Sequence, residues 1–187
     1  VDIVLQWNDR FGSSSNDYDL YIFKTDNWEI VDRSTNVQDG NDDPLEYINY
    51  TNPTESTIDA EIDIRNYNGE ARERILELYI YTDDNKTKFN SRNLPQNVVE
   101  PDSIYGHPAI HDVVTVGAIN TESRIESFSS QGPVTIYHPD YEIRHKPDLV
   151  GANGIRVSGA GRFPEKFYGT SASAPHIAAV AAQLWSS

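Results

Sequence analysis

Val113-Val114-Thr115-Val116-Gly117-Ala118-Ile119 runs without a charge and without alternation, as a strand does when a parallel sheet buries it on both faces. Downstream, Asp148–Val157 offers two more short strand candidates, around Gly151 and Gly154. Ala172–Trp185 follows, rich in alanine and free of strand alternation, which predicts a helix packed closely on its neighbours. Three strands followed by a helix are α/β material. Upstream of Val113 the pattern is different.

Residues 1–95 read as short antiparallel strands. In Val1–Trp7, Val1, Ile3, Leu5 and Trp7 share one face, with Asp2 and Gln6 on the other. Asp17–Lys24 alternates again, and Trp28–Val31, Leu45–Tyr50, Ile58–Ile64 and Ile75–Tyr81 follow. Between them lie Gly12-Ser13-Ser14-Ser15-Asn16, Asp39-Gly40-Asn41-Asp42-Asp43-Pro44, Asn52-Pro53 and Asn68-Gly69. These residues make turns, because Asn, Asp and Gly tolerate left-handed backbone angles and Pro fixes φ. Six such strands with no helical period predict a β-sandwich or jelly roll. The expected organisation is therefore an antiparallel β-sandwich over 1–95 and a partial α/β domain with parallel strands and a C-terminal helix over 96–187. Asn93–Asp102, with Pro95 and Pro101, is the expected crossing.

Charge separates the halves too. The 187 residues carry 29 acids and 15 Lys or Arg, a net charge of −14. Of these, 20 acids and 9 bases fall in 1–95, against 9 and 6 in 96–187. So negative a chain is repelled by nucleic acid and by anionic membranes, and neither is expected as a partner. No apolar run reaches the roughly 18 residues of a membrane span. Cysteine is absent, which excludes disulfides and thiolate metal sites. Methionine is absent as well, and the helical pattern is still running at Trp185-Ser186-Ser187, so the expectation is a fragment of something longer.

The strongest chemical candidate is Gly169-Thr170-Ser171-Ala172-Ser173-Ala174-Pro175-His176, which opens the helix. A hydroxyl there has two uses. It can cap the helix by accepting from an orphan N–H, or it can be a nucleophile whose oxyanion product those N–H groups and the positive end of the helix dipole stabilise. Composition alone favours the cap. Yet Gly169–His176, continued by Ile177-Ala178-Ala179-Val180-Ala181, closely resembles the serine motif of the subtilisin-like serine proteases, the subtilases. Three further segments resemble that family in the same order: His107-Pro108-Ala109 with Asp112–Ala118, then Phe128-Ser129-Ser130-Gln131-Gly132-Pro133, then Lys146-Pro147-Asp148-Leu149-Val150. Together they cover about Pro101–Trp185.

The resemblance implies peptide hydrolysis through an acyl-enzyme on Ser171, with the Ser171 backbone N–H as one oxyanion donor. Gly169, Thr170, Pro175 and Pro108 are implied as motif-supporting residues, and the His107–Pro108 bond is implied to be cis. A serine hydroxyl needs an imidazole base oriented by a carboxylate. The family supplies these from Asp-Ser/Thr-Gly and His-Gly-Thr motifs, and a second oxyanion donor from an Ala-Gly-Asn segment. None of these motifs occurs here. Gly151-Ala152-Asn153-Gly154 follows Lys146–Val150, where the family has a loop of another role, and is not read as that donor. The triad Asp and His and the oxyanion Asn are thus expected in the remainder of the protease domain upstream, and the chain alone is expected to be inactive. His176, five residues beyond Ser171 on the same helix, points away from the hydroxyl. No metal site is expected on the histidines. Where many subtilases carry acidic residues after the Gly-Pro for a cation, this chain has Val134, Thr135 and Ile136.

Long subtilases carry β-sandwich domains inserted before the serine, where residues 1–95 stand. Gln6-Trp7-Asn8-Asp9, Asn16–Tyr21 and Asp43-Pro44-Leu45-Glu46 also resemble sandwich modules beside secreted peptidases, which implies a secreted or cell-surface location. The reaction requires no cofactor. A structural Ca²⁺ on Asp17, Asp19, Asp39, Asp42 and Asp43 is the one ion the sequence offers, beside the simpler reading of solvated acidic turns. The expected partner is a protein or peptide substrate. A competing reading makes the chain a β-sandwich binding module on a protease-like scaffold without catalysis.

Overall fold

The computed structural model describes residues 1–82, 101–158 and 165–187. It divides into two compact units: residues 1–90 with 137–140, and residues 91–136 with 141–187. The expected boundary at 95 and most of the Asn93–Asp102 crossing lie outside the described residues.

The first unit holds β1 (Asp2–Trp7), β2 (Tyr18–Lys24), β3 (Ile30–Ser34), β4 (Leu45–Asn49), β5 (Ala60–Asn66) and β6 (Leu76–Tyr81). They form two three-stranded antiparallel sheets, ordered β4-β1-β6 and β3-β2-β5. Alternation puts Ile3, Leu5 and Trp7 of β1 on one face and Tyr18, Leu20 and Ile22 of β2 on another. These six join Ile48 in a single buried cluster, against which Ile62, Ile64, Leu78 and Ile80 pack. Trp7 is its centre, buried to 1% exposure and edge-on to Tyr18 with ring centroids 5.3 Å apart. Its indole N–H has a partner, as a buried one needs: it donates to Ser14 Oγ at 3.2 Å. Ser14 in turn donates to Asp9, which also accepts from Asn16 and Arg74.

Two strands start two residues later than the pattern predicts. The run Trp28–Val31 becomes β3 only at Ile30, because Trp28 lies at φ 59 and is exposed, closing the turn in which its N–H donates to Lys24. The run Ile58–Ile64 becomes β5 at Ala60 and continues to Asn66.

In the second unit, β7 (Val116–Ile119) and β10 (Leu149–Ala152) pair in parallel, Val116 opposite Leu149 and Ile119 opposite Ala152. The expected parallel pairing is present, but it begins at Val116; Val113 and Val114 are exposed before it. β8 (Val134–Ile136) and β9 (Glu142–Arg144) form an antiparallel hairpin, and β11 (Ile155–Arg156) pairs with β12 (Lys166–Phe167). The helix α1 (Thr170–Ser186) lies on β7 and β10. It comes close because Gly151 has no side chain: a Cβ there would stand 2.9 Å from both the Ser173 carbonyl oxygen and Ile177 Cγ1. The other side of α1 is open, with Leu184 72% and Trp185 94% exposed. No described helix is long and apolar enough to cross a membrane.

The His107–Pro108 bond is not cis; among the described residues the cis bonds precede Pro133, Pro139 and Pro147. Gly106, at φ 66, turns the chain instead, and His107–Ala109 is a 3₁₀ turn in which Ala109 N–H donates to Gly106 and Ile110 N–H to His107. Pro108 sits in that turn where no donor is needed.

Candidate active site

Ser171 is the second residue of α1 and is exposed. The residue before the helix is Gly169, at φ 114 and ψ 166, a conformation L side chains rarely adopt. No side chain caps this end, so the hydroxyl of Ser171 is not spent on a cap. The Gly169 carbonyl accepts instead from Ala172 N–H at 3.0 Å and Ser173 N–H at 3.3 Å. Ser173 is fully buried and donates to the carbonyl of Ala152, tying the helix to the end of β10. Pro175, within the helix, has no N–H to return to the Ser171 carbonyl.

Asn153 was passed over in the sequence and is built into the site. It is 5% exposed. Its Oδ1 accepts from the Gly169 N–H at 2.7 Å, and its Nδ2 donates to Glu126 Oε1 at 2.6 Å. A polar residue between an apolar strand and Gly154 at φ +68 was the only available signal.

A cavity of about 410 Å³ opens beside Thr170, lined by Tyr105, Gly106, His107, Pro108 and Phe128 among others. The loops around it are tied by Lys146, whose ammonium is buried. It donates to the Val113 carbonyl at 2.6 Å and to both Asp148 oxygens at 2.8 and 3.1 Å. Asp148 also accepts from Thr115 N–H at 2.7 Å. The Lys146 hydrogen bond, then that N–H, holds the Asp148 carboxyl below its usual range.

The five histidines are all described, and none is hydrogen-bonded to Ser171. His111 pairs with Asp112 at 2.8 Å in the open, and His107 and His176 are exposed. Among the described residues, then, the serine has no base.

The aspartates of the first unit do not gather into a metal site: among the described residues no three His, Asp or Glu side chains are arranged to hold an ion. Asp43 accepts from Gly12 N–H at 2.8 Å, Asp42 from Asp39 N–H at 3.2 Å, and Asp19 from Tyr21 hydroxyl at 3.1 Å. Burial, with Asp19 and Asp42 adding repulsion, pushes the Asp17 carboxyl up. Asp17 Oδ1 is buried and has no hydrogen-bond partner among the described residues.

Compared with known proteins, the chain matches the model of the subtilase family over residues 27–187. The match begins inside the first unit, well before the Pro101 at which the sequence resemblance starts. No curated protein and no solved structure matches the chain.

Proposed function

Because the chain belongs to the subtilase family, we propose that it is part of a serine endopeptidase whose nucleophile is Ser171. In this reading residues 1–95 are an inserted β-sandwich domain and 96–187 the end of the catalytic domain. The protein acts on protein or peptide substrates at the cell surface or after secretion. The observation that carries the reading is the freedom of Ser171: it stands at the start of α1 with a glycine in the capping position, so its hydroxyl is available. The first N–H groups of a helix have no intrahelical acceptor, and in this reading that of Ser171 donates to the oxyanion on the carbon its own Oγ attacks. The macrodipole favours the same negative charge.

The chain contains neither the Asp nor the His motif of the family, so in this reading the base and its orienting carboxylate are supplied from outside it. Removing the triad histidine costs on the order of 10⁶-fold in kcat, a magnitude known from subtilisin itself. The 187-residue chain alone therefore turns over no peptide at a protease's rate. The test is fluorophosphonate labelling and chromogenic peptide hydrolysis by three proteins: the full-length protease, its Ser171→Ala variant and this chain. Labelling confined to full-length protein with Ser171 intact is expected. Activity that survives Ser171→Ala refutes the nucleophile, and a full-length protein that neither labels nor cleaves is a binding module on a protease-like scaffold.

A further inference from the structure

We infer that Asn153 is a positioning residue for Ser171, acting through the Gly169 N–H; this rests on the reading of Ser171 as nucleophile. A continuous set of bonds runs from the sheet to the serine. Glu126 is fixed to β7, since its N–H donates to the Ala118 carbonyl at 3.0 Å and its own carbonyl accepts from Ser129 N–H at 2.9 Å. Its carboxylate accepts from Asn153 Nδ2, while the main-chain N–H of Asn153 donates to Ile119 at 2.9 Å. The far side of the same amide receives Gly169 N–H, two residues before the nucleophile.

Gly169 is the residue that needs such a hold. Glycine has more backbone freedom than any other residue, and this one occupies a region with no local preference of its own. Its peptide decides the angle at which the chain enters α1, and so where Ser171 Oγ and N–H stand. A buried amide suits the place chemically. It offers an acceptor toward the N–H and a donor toward the carboxylate in one rigid plane, which a carboxylate or an alkyl group does not. Its burial keeps water from replacing either bond. A shift of about 1 Å in a catalytic group costs on the order of 10²-fold in rate.

The experiment uses the full-length protease, with kcat expressed per site titrated by fluorophosphonate. Asn153→Asp keeps the acceptor for Gly169 but sets a carboxylate against Glu126. It is expected to lower kcat per titrated site by on the order of 10–100-fold, with KM within about twofold. Combining it with Glu126→Gln reverses donor and acceptor along the same bond and is expected to recover most of that loss. A role confined to stability would lower the melting temperature or the number of titratable sites and leave kcat per site unchanged; that result, or failure of the double variant to recover, overturns the inference. Should Asn153→Asp not fold, Glu126→Ala decides: it frees the amide nitrogen with Asn153 in place, and an unchanged kcat per site refutes the relay. Turnover that survives Ser171→Ala removes the nucleophile itself, a failure separate from all of these.

Discussion

Replacing Gly151 by alanine sets two known effects against each other. Gly151 has no positive φ, so alanine fits its backbone, and the lost freedom of the unfolded chain alone would stabilise the protein by about 0.4–1 kcal/mol. Space says the opposite. The new methyl would lie 2.9 Å from the Ser173 carbonyl oxygen, 2.9 Å from Ile177 Cγ1 and 3.2 Å from Ser173 Cβ. One of these neighbours is helix backbone and cannot rotate away, so α1 must lift from β10. Overpacking of this kind costs about 1–3 kcal/mol, which exceeds the entropic gain. Net destabilisation is expected. At roughly 4–8 °C per kcal/mol for a unit of this size, the transition of the second unit should fall by several degrees or more. Far-UV circular dichroism follows α1, the one long helix described, while the fluorescence of buried Trp7 follows the first unit. The helix signal should melt earlier, with the Trp7 signal unmoved. An unchanged or raised helix transition would refute the argument that Gly151 exists for close approach.

Residues 1–95 should unfold cooperatively as a separate chain, with dispersed amide signals, because their two sheets bury their apolar faces in one cluster; a molten 1–95 would mean the core is shared. Within it, Trp7→Ala removes the largest fully buried side chain and should cost about 3–5 kcal/mol in urea unfolding. Glu46 is fully buried, and burial raises its carboxyl above the ordinary 4.5 despite bonds from Ser34, Gln38 and Asn36. A raised folded-state value means that the folded chain binds the proton more tightly. The Glu46 contribution is therefore complete at low pH and is lost as pH rises from about 4.5 through the raised value. Stability of the parent chain relative to Glu46→Gln should decline over that window, and a flat difference across a urea series at stepped pH would refute it.

What the sequence disclosed follows from the range of the interaction that decides each feature. The alternation in β1 and β2 is local, and it placed Ile3, Leu5, Trp7, Leu20 and Ile22 in the core. β3 was misplaced because Trp28, apolar in composition, spends its position on a turn at φ 59. Strands of two or three residues, such as β11 and β12, are too short to show a period at all. The family was legible because the serine motif is contiguous. Asn153 was not, since its value lies in meeting Glu126 and Gly169, 27 and 16 residues away. Asp19, Asp42 and Asp43 belong to one acidic composition in the sequence, and only the fold shows that they turn to different main-chain and hydroxyl donors. Pro108 belongs to the same class, because a positive φ at Gly106 supplies the chain reversal for which a cis bond had been expected. Contiguity marks the proposed nucleophile, and only the fold shows that the Gly169 N–H before it is held by Asn153. For a serine that follows a glycine with no preferred conformation, that contact is where a substitution would act unseen by any motif.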